Sequence, residues 1–187
     1  FWDPMIPSMK NNDRTEIYQN INKILAKLHS IDYMKIGLED YGKPGNYVAR
    51  QVSRWSKQYK ASETDNIEAM NNLIEWLPKN IPNDDETSIV HGDYRLDNMI
   101  LKNNKVIGIL DWELSTLGHP IADFSYHCLS WRTQEAFWDQ AKLKELGIPS
   151  EREYMEMYCE NSGKDLSKNW EFYMAFNMFK IAGILQG

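Results

Sequence analysis

Apolar residues recur at helical spacing over most of this chain and give way to strand-like runs in one short central stretch. Ile17, Ile21, Ile24, Leu25 and Leu28 form one stripe, the period of a helix that buries a single face. Asp13 followed by Glu16 predicts a capping box at its start. His29, at its end, is expected to pack or to cap the last carbonyls. Residues 1–9, with two prolines, read as an extended connection. Gly37, Gly42 and Lys43-Pro44-Gly45 predict a loop, and Tyr47, Val48, Val52, Trp55 and Tyr59 a second helix. Ile67, Met70, Leu73, Ile74 and Leu77 predict a third, ended by Pro78, with an acidic connection over 80–86.

The texture changes at Thr87. Ser88-Ile89-Val90 leads into the polar run His91-Gly92-Asp93-Tyr94-Arg95-Leu96-Asp97-Asn98. Met99-Ile100-Leu101 and Val106-Ile107-Gly108-Ile109-Leu110 then flank Asn103-Asn104, a hairpin turn because Asn tolerates positive φ. Beyond Asp111 the pattern is helical again from about Pro120 through Phe124, Cys128 and Trp131. Ser150 with Glu153 marks a capping box and Gly163 a helix stop. Ser167 is expected to open a last helix whose aromatics, Trp170, Tyr173, Phe176 and Phe179, are core. No internal repeat is visible. The fold class that follows is α+β, mostly helical, with a small β-hairpin region carrying the polar motif.

Composition narrows the partners. At 187 residues the chain has room for one domain with a proper core. A net charge of −6 without a long basic cluster argues against a nucleic-acid or anionic-membrane partner. No apolar run approaches the roughly 18–20 residues that span a bilayer. Cys128 and Cys159 lack metal-ligand spacing and read as reduced thiols, as in the cytoplasm, or in a mitochondrion or peroxisome if the source is eukaryotic. Arg50, Arg54 and Lys57 share a helix face that reads as solvated, or as a site for an anionic group matching the arginine fork. A start at Phe1 and an end inside a helical pattern read as a piece of a longer protein.

The polar run carries the chemistry. Asp93 and Asn98 are five residues apart, and Asp111 follows Asn98 by thirteen, the intervals of a kinase catalytic segment. Phosphoryl transfer has a loose transition state, so a protein mainly positions groups and neutralises charge. A carboxylate at Asp93 can orient an acceptor hydroxyl and take its proton late. Asn98 and Asp111 offer the oxygen ligands that Mg²⁺ prefers, without closing a cage. His91 reads as a structural member of the loop and Asp97 as a turn residue.

With Gly92 between His91 and Asp93, the motif resembles the aminoglycoside phosphotransferase and choline-kinase family. It is most similar to the phosphotransferase-like domain found alone in bacteria and fused to some acyl-CoA dehydrogenases. The matching pieces include Leu25-Ala26-Lys27-Leu28-His29, Pro44-Gly45-Asn46-Tyr47, Glu75-Trp76-Leu77-Pro78 and Leu110-Asp111-Trp112-Glu113 through His119-Pro120. The resemblance implies the C-terminal lobe of a protein-kinase-like fold and an ATP- and Mg²⁺-dependent transfer to a hydroxyl of a small molecule, a hydroxyacyl compound by the dehydrogenase link. It also implies a fused or neighbouring acyl-CoA dehydrogenase. Carried over, Asp93 is the catalytic base, Asn98 and Asp111 bind the metal–nucleotide, and Asp123 braces the loop through backbone amides. Arg95 contacts substrate or a neighbouring carboxylate. Glu113 stands where protein kinases have Gly, and His119 where many relatives have Asp. No Gly-rich loop is present, so the nucleotide-binding N-terminal lobe is expected upstream and residues 1–187 form the C-terminal lobe. Two other readings remain: a kinase-like binding module without activity, and a metal-dependent hydrolase using His91, Asp93, Asp111 and His119.

Overall fold

A computed structural model describes residues 4–166 and 168–186. Helix α1, Asn11–His29, buries Ile17, Ile21, Leu25 and Leu28, the stripe its sequence predicts. It packs against α7, Glu151–Ser162, and against the β region. Helix α2, Tyr47–Ser62, and α3, Glu68–Trp76, follow, and Pro78 sits in a single 3-10 turn, Leu77–Lys79, that ends the run. Pro lacks an amide to donate, so the α-helical ladder stops there. Helix α4, Pro120–His127, and α2 both pack on α8, Trp170–Gln186. Two short helices, α5 (Ser130–Thr133) and α6 (Gln140–Glu145), lie between α4 and α7.

The strands form two antiparallel pairs. β1, Ser88–Val90, pairs with β4, Thr116–Gly118, in the register Ile89 opposite Leu117. β2, Met99–Lys102, pairs with β3, Lys105–Ile109, with an irregularity between Ile100 and Leu101. Asn103 and Asn104 turn the hairpin with φ of 49° and 59°, the doubly left-handed turn whose twist suits paired strands. Thr116–Gly118 was not foreseen as a strand. Three residues carry too little alternation to be seen, and the partner lies 28 positions upstream.

Three local expectations fail for tertiary reasons. Helix α1 starts at Asn11 after Lys10, and no side chain caps it. Asp13 and Glu16 instead accept from Asn104 Nδ2 at 2.8 and 3.1 Å, clamping the hairpin turn to the helix. Residues 4–9 form turns with Ile6 fully buried, so the segment is part of the core and not an extended connection. The helix from Pro120 breaks after His127 before α5 begins. The Ser150–Glu153 capping box forms in both directions, and Gly163 ends α7 at φ 72°. Ser167 lies outside the described residues; α8 begins at Trp170.

The core joins α1, α4, α7 and α8 through aromatic rings. Phe124 stacks on Tyr158 at 4.0 Å, and Trp131 on Tyr154 at 4.9 Å. Such rings bury large apolar areas and add stacking energy. Among the described residues no helix is long and apolar enough to cross a membrane. Both cysteines are free.

Candidate active site

The buried strand β1 delivers His91 and Gly92 to the first turn of α4. There the Asp123 carboxylate accepts from the His91 amide through Oδ2 and from the Gly92 amide through Oδ1, both at 2.8 Å. His29 Nε2, from the end of α1, reaches the same Oδ2 at 3.1 Å, and its Nδ1 lies 2.6 Å from the Tyr158 hydroxyl. Burial alone would raise the Asp123 pKa; the His29 bond and charge, with the two amides, outweigh it and hold it below the usual carboxylate range. Gly92 has φ +85°, and a Cβ there would meet the Leu114 carbonyl oxygen at 2.7 Å. Only glycine fits that turn without strain. The His91 ring is fully buried: Nδ1 accepts from the Asp93 amide at 3.2 Å and Nε2 donates to the Leu110 carbonyl at 2.9 Å. With both nitrogens engaged, it couples the loop to the end of β3.

The outer side of the loop holds Asp93. Its Oδ1 accepts from the Tyr126 hydroxyl at 3.0 Å and lies 3.3 Å from Arg95 Nε. Its Oδ2 accepts from Asn98 Nδ2 at 3.0 Å, and the same amide nitrogen donates to the Asp93 carbonyl at 2.9 Å. Asn98 Oδ1 is thereby left without a protein donor among the described residues. The Leu110 amide donates to the Asn98 carbonyl at 2.8 Å, which brings the end of β3 beside the loop. The next residue, Asp111, turns left-handed at φ 63°, ψ 58°, an uncommon conformation for a residue with a Cβ. Its side chain is exposed, and no described residue donates to it. Two hard oxygen donors, unspent by the protein, fit a magnesium ion whose remaining ligands are water and phosphate.

The hydrolase constellation is not assembled. Among the described residues, no three His, Cys, Asp or Glu side chains gather where they could hold a metal. His119 instead stacks on Tyr173 at 4.9 Å, with Nε2 3.1 Å from the Asp84 carbonyl and from the Tyr173 hydroxyl. Arg95 turns to neighbouring carboxylates, donating to Asp97 at 2.8 Å as well as approaching Asp93. Asp97 is therefore its partner and more than a turn former. The phosphotransferase enzyme family model matches residues 2–158.

This chain belongs to that family. Mouse "Acyl-CoA dehydrogenase family member 10" is 45% identical over 99% of the chain, which covers 18% of that protein. Human "Acyl-CoA dehydrogenase family member 11" is 43% identical over the whole chain, which covers 25% of it. The chain thus spans a quarter or less of these relatives. A solved structure from Ralstonia eutropha, a "putative aminoglycoside phosphotransferase", superposes with a TM-score of 0.94 at 51% identity, over all of this chain and 59% of its own. An aminoglycoside-3'-phosphotransferase of type VIII shares the fold at a TM-score of 0.64, with 14% identity, covering 90% of this chain and 62% of its own. The architecture is that of the protein-kinase-like phosphotransferases.

Within this family member, three residues near the loop escaped the sequence reading. Tyr126 lies three positions after Asp123 on α4, so both face the loop; that spacing was a usable signal. His127 has no such signal: it bridges the Tyr94 carbonyl and the Tyr154 hydroxyl at 2.9 Å each. Burial pushes its pKa down to about 4, against the Tyr94 carbonyl and the Asp123 charge. Lys180, from α8, lies with Nζ 4.5 Å from the centre of the Tyr126 ring. Beside Tyr126 opens a cavity of about 440 Å³, lined by Leu96, Leu129, Trp131, Ile181 and Leu185 and also by Arg95, Asp97, Thr133 and Gln134.

Proposed function

We propose that this chain is the catalytic half of an ATP- and Mg²⁺-dependent kinase that phosphorylates a hydroxyl of a small molecule. One observation carries the reading. The Asp93 carboxylate is oriented by Tyr126, Arg95 and Asn98 on a loop whose backbone is pinned from behind by Asp123. Asp93 accepts the hydrogen bond of the acceptor hydroxyl and aims its oxygen. As that oxygen bonds to the γ-phosphorus and the bond to the β-phosphate oxygen breaks, the proton passes to Asp93 and ADP leaves. Asn98 Oδ1 and Asp111 would hold Mg²⁺, which would supply positive charge to neutralise the phosphates. Arg95, half exposed beside Asp93, adds a cation to the side where the phosphoryl group arrives.

The acceptor we infer is a hydroxyacyl compound. The cavity bordering Tyr126, more apolar than polar in its lining, suits an acyl chain better than a polycationic sugar. The relatives named as acyl-CoA dehydrogenases support the same class, with a dehydrogenase fused or nearby. The nucleotide-holding parts we assign to a further lobe beyond residues 1–187. Ile107, Leu110 and Leu114, apolar and exposed around Asp111, are suited to contact it.

Full-length protein given Mg-ATP and a panel of hydroxy acids and their thioesters tests the reading. Asp93→Asn is expected to lower phosphoryl transfer by about 10²–10⁴-fold with the fold intact. Equal phosphate release by wild type and variant across the panel would sink the claim.

A further inference from the structure

The basic face foreseen on α2 is present, with Arg50, Arg54 and Lys57 around one shallow depression, but its members have different partners. Arg50 spends its guanidinium on the loop before the helix, donating to the carbonyls of Lys43 and Gly45. Arg54 lies 5.5 Å from the centre of the Trp55 ring. The cation that joins it comes from α8: Lys180 Nζ is 6.0 Å from the same ring and 4.5 Å from the Tyr126 ring. Lys180 makes no hydrogen bond or ion pair with any described residue, although it is half-buried. A lysine there loses hydration that two ring faces replace only in part. Burial pulls its pKa below the ordinary lysine value, with the Arg54 charge, against the attraction of Asp123 and Asp93. Two cations beside one indole repel each other, a repulsion that Asp123 and Asp93 offset without an ion pair to Lys180.

We propose that Lys180 and Arg54, floored by Trp55 and Tyr126, form an anion-receiving subsite for a carboxylate or phosphate group of the acceptor. The proposal rests on the reading of Asp93 as the reacting end, because Tyr126 carries Lys180 on its ring and Asp93 on its hydroxyl. An acceptor charged at this point is held by Lys180 while its hydroxyl meets Asp93. The mainly apolar cavity also borders Tyr126 and takes the uncharged remainder.

The test uses probes that lack a hydroxyl acceptor for the reaction, so it stays apart from whether the protein is a kinase. Calorimetry on the full-length protein compares octanoate, octyl phosphate and the neutral analogue octanamide. One or both anions are expected to bind wild type at least about tenfold more tightly than octanamide; which anion wins identifies the source of the charge. Lys180→Met is expected to erase that preference and leave octanamide unaffected, while Lys180→Arg keeps it. Arg54→Gln, on the exposed side of α2, weakens anion binding severalfold and remains informative even if Lys180→Met does not fold. Anions that bind no better than octanamide overturn the proposal. So does a preference that persists in folded Lys180→Met, or one untouched by Arg54→Gln when Lys180→Met cannot be made.

Discussion

The loop from His91 to Asn98 has an inner and an outer side, and they are built differently. On the inner side every polar group that faces Asp123 is spoken for: two amides and one imidazole fill its two oxygens, with His91, His29 and Asp123 all buried. On the outer side Asp111 is exposed in a left-handed conformation, and among the described residues neither it nor Asn98 Oδ1 has a donor. Low dielectric strengthens the inner bonds and makes any unpaired member expensive. Water near the outer residues makes their vacancies cheap. The loop is held from behind so that its front can remain unsatisfied until substrates arrive.

The sharpest break of that contrast is a pair of substitutions. Asp123→Ala strips partners from His29 and from the amides of His91 and Gly92, all inside the core. It should cost about 3–5 kcal/mol of stability, measured by urea denaturation, and take activity with it. Asp111→Ala should cost only about 1 kcal/mol, from alanine's poorer fit to the left-handed backbone, yet lower phosphoryl transfer by about 10²–10³-fold. If Asp111→Ala unfolds the protein, the outer side is structural and the contrast fails.

Why one side was readable in the sequence and the other was not follows from distance along the chain. Asp93, Asn98 and Asp111 stand out because short turns and a hairpin fix their intervals locally. The helical stripes are local too, and α1, α2 and α3 fall close to where their apolar residues put them. Asp123 was assigned to the loop by family likeness alone. Its contact with His29 spans 94 positions, and nothing in either neighbourhood announces it. The same holds for Asp13 and Glu16, which look like a helix cap by themselves and act as a clamp once Asn104 reaches them from 88 or more positions away. A residue with two competing partners takes the one that tertiary packing supplies.

Acid sharpens the comparison on the inner side. His127 is held neutral, its pKa pushed down to about 4 by burial. The unfolded chain, with an ordinary histidine near 6.5, binds the proton first as pH falls. Stability from this residue is therefore complete above about pH 6.5 and lost as pH drops toward 4, by about 3 kcal/mol. Asp123, depressed below the carboxylate range, adds its own loss below about pH 4. Denaturation midpoints taken between pH 7 and pH 4 should fall, and His127→Gln should flatten the decline above pH 4.

The smallest effect tests where the two sides meet. Tyr126 grows from the same helix as Asp123 but points its hydroxyl outward, to Asp93 Oδ1 at 3.0 Å. Burial first, then the Asp93 charge and hydrogen bond, keep that phenol protonated, so it acts as a donor that orients and not as a base. Tyr126→Phe removes one bond and keeps the ring, and Asp93 retains Asn98 and Arg95. Water can replace the lost donor at this partly exposed carboxylate, so the net loss is near 1 kcal/mol. Turnover should fall by about fivefold, with stability lowered by no more than about 1 kcal/mol and the binding of the anionic probes unchanged, because the ring under Lys180 is still there. A loss on the scale of Asp93→Asn would mean that the hydroxyl itself reaches the reacting atoms, and the boundary between the two sides would move outward to include it.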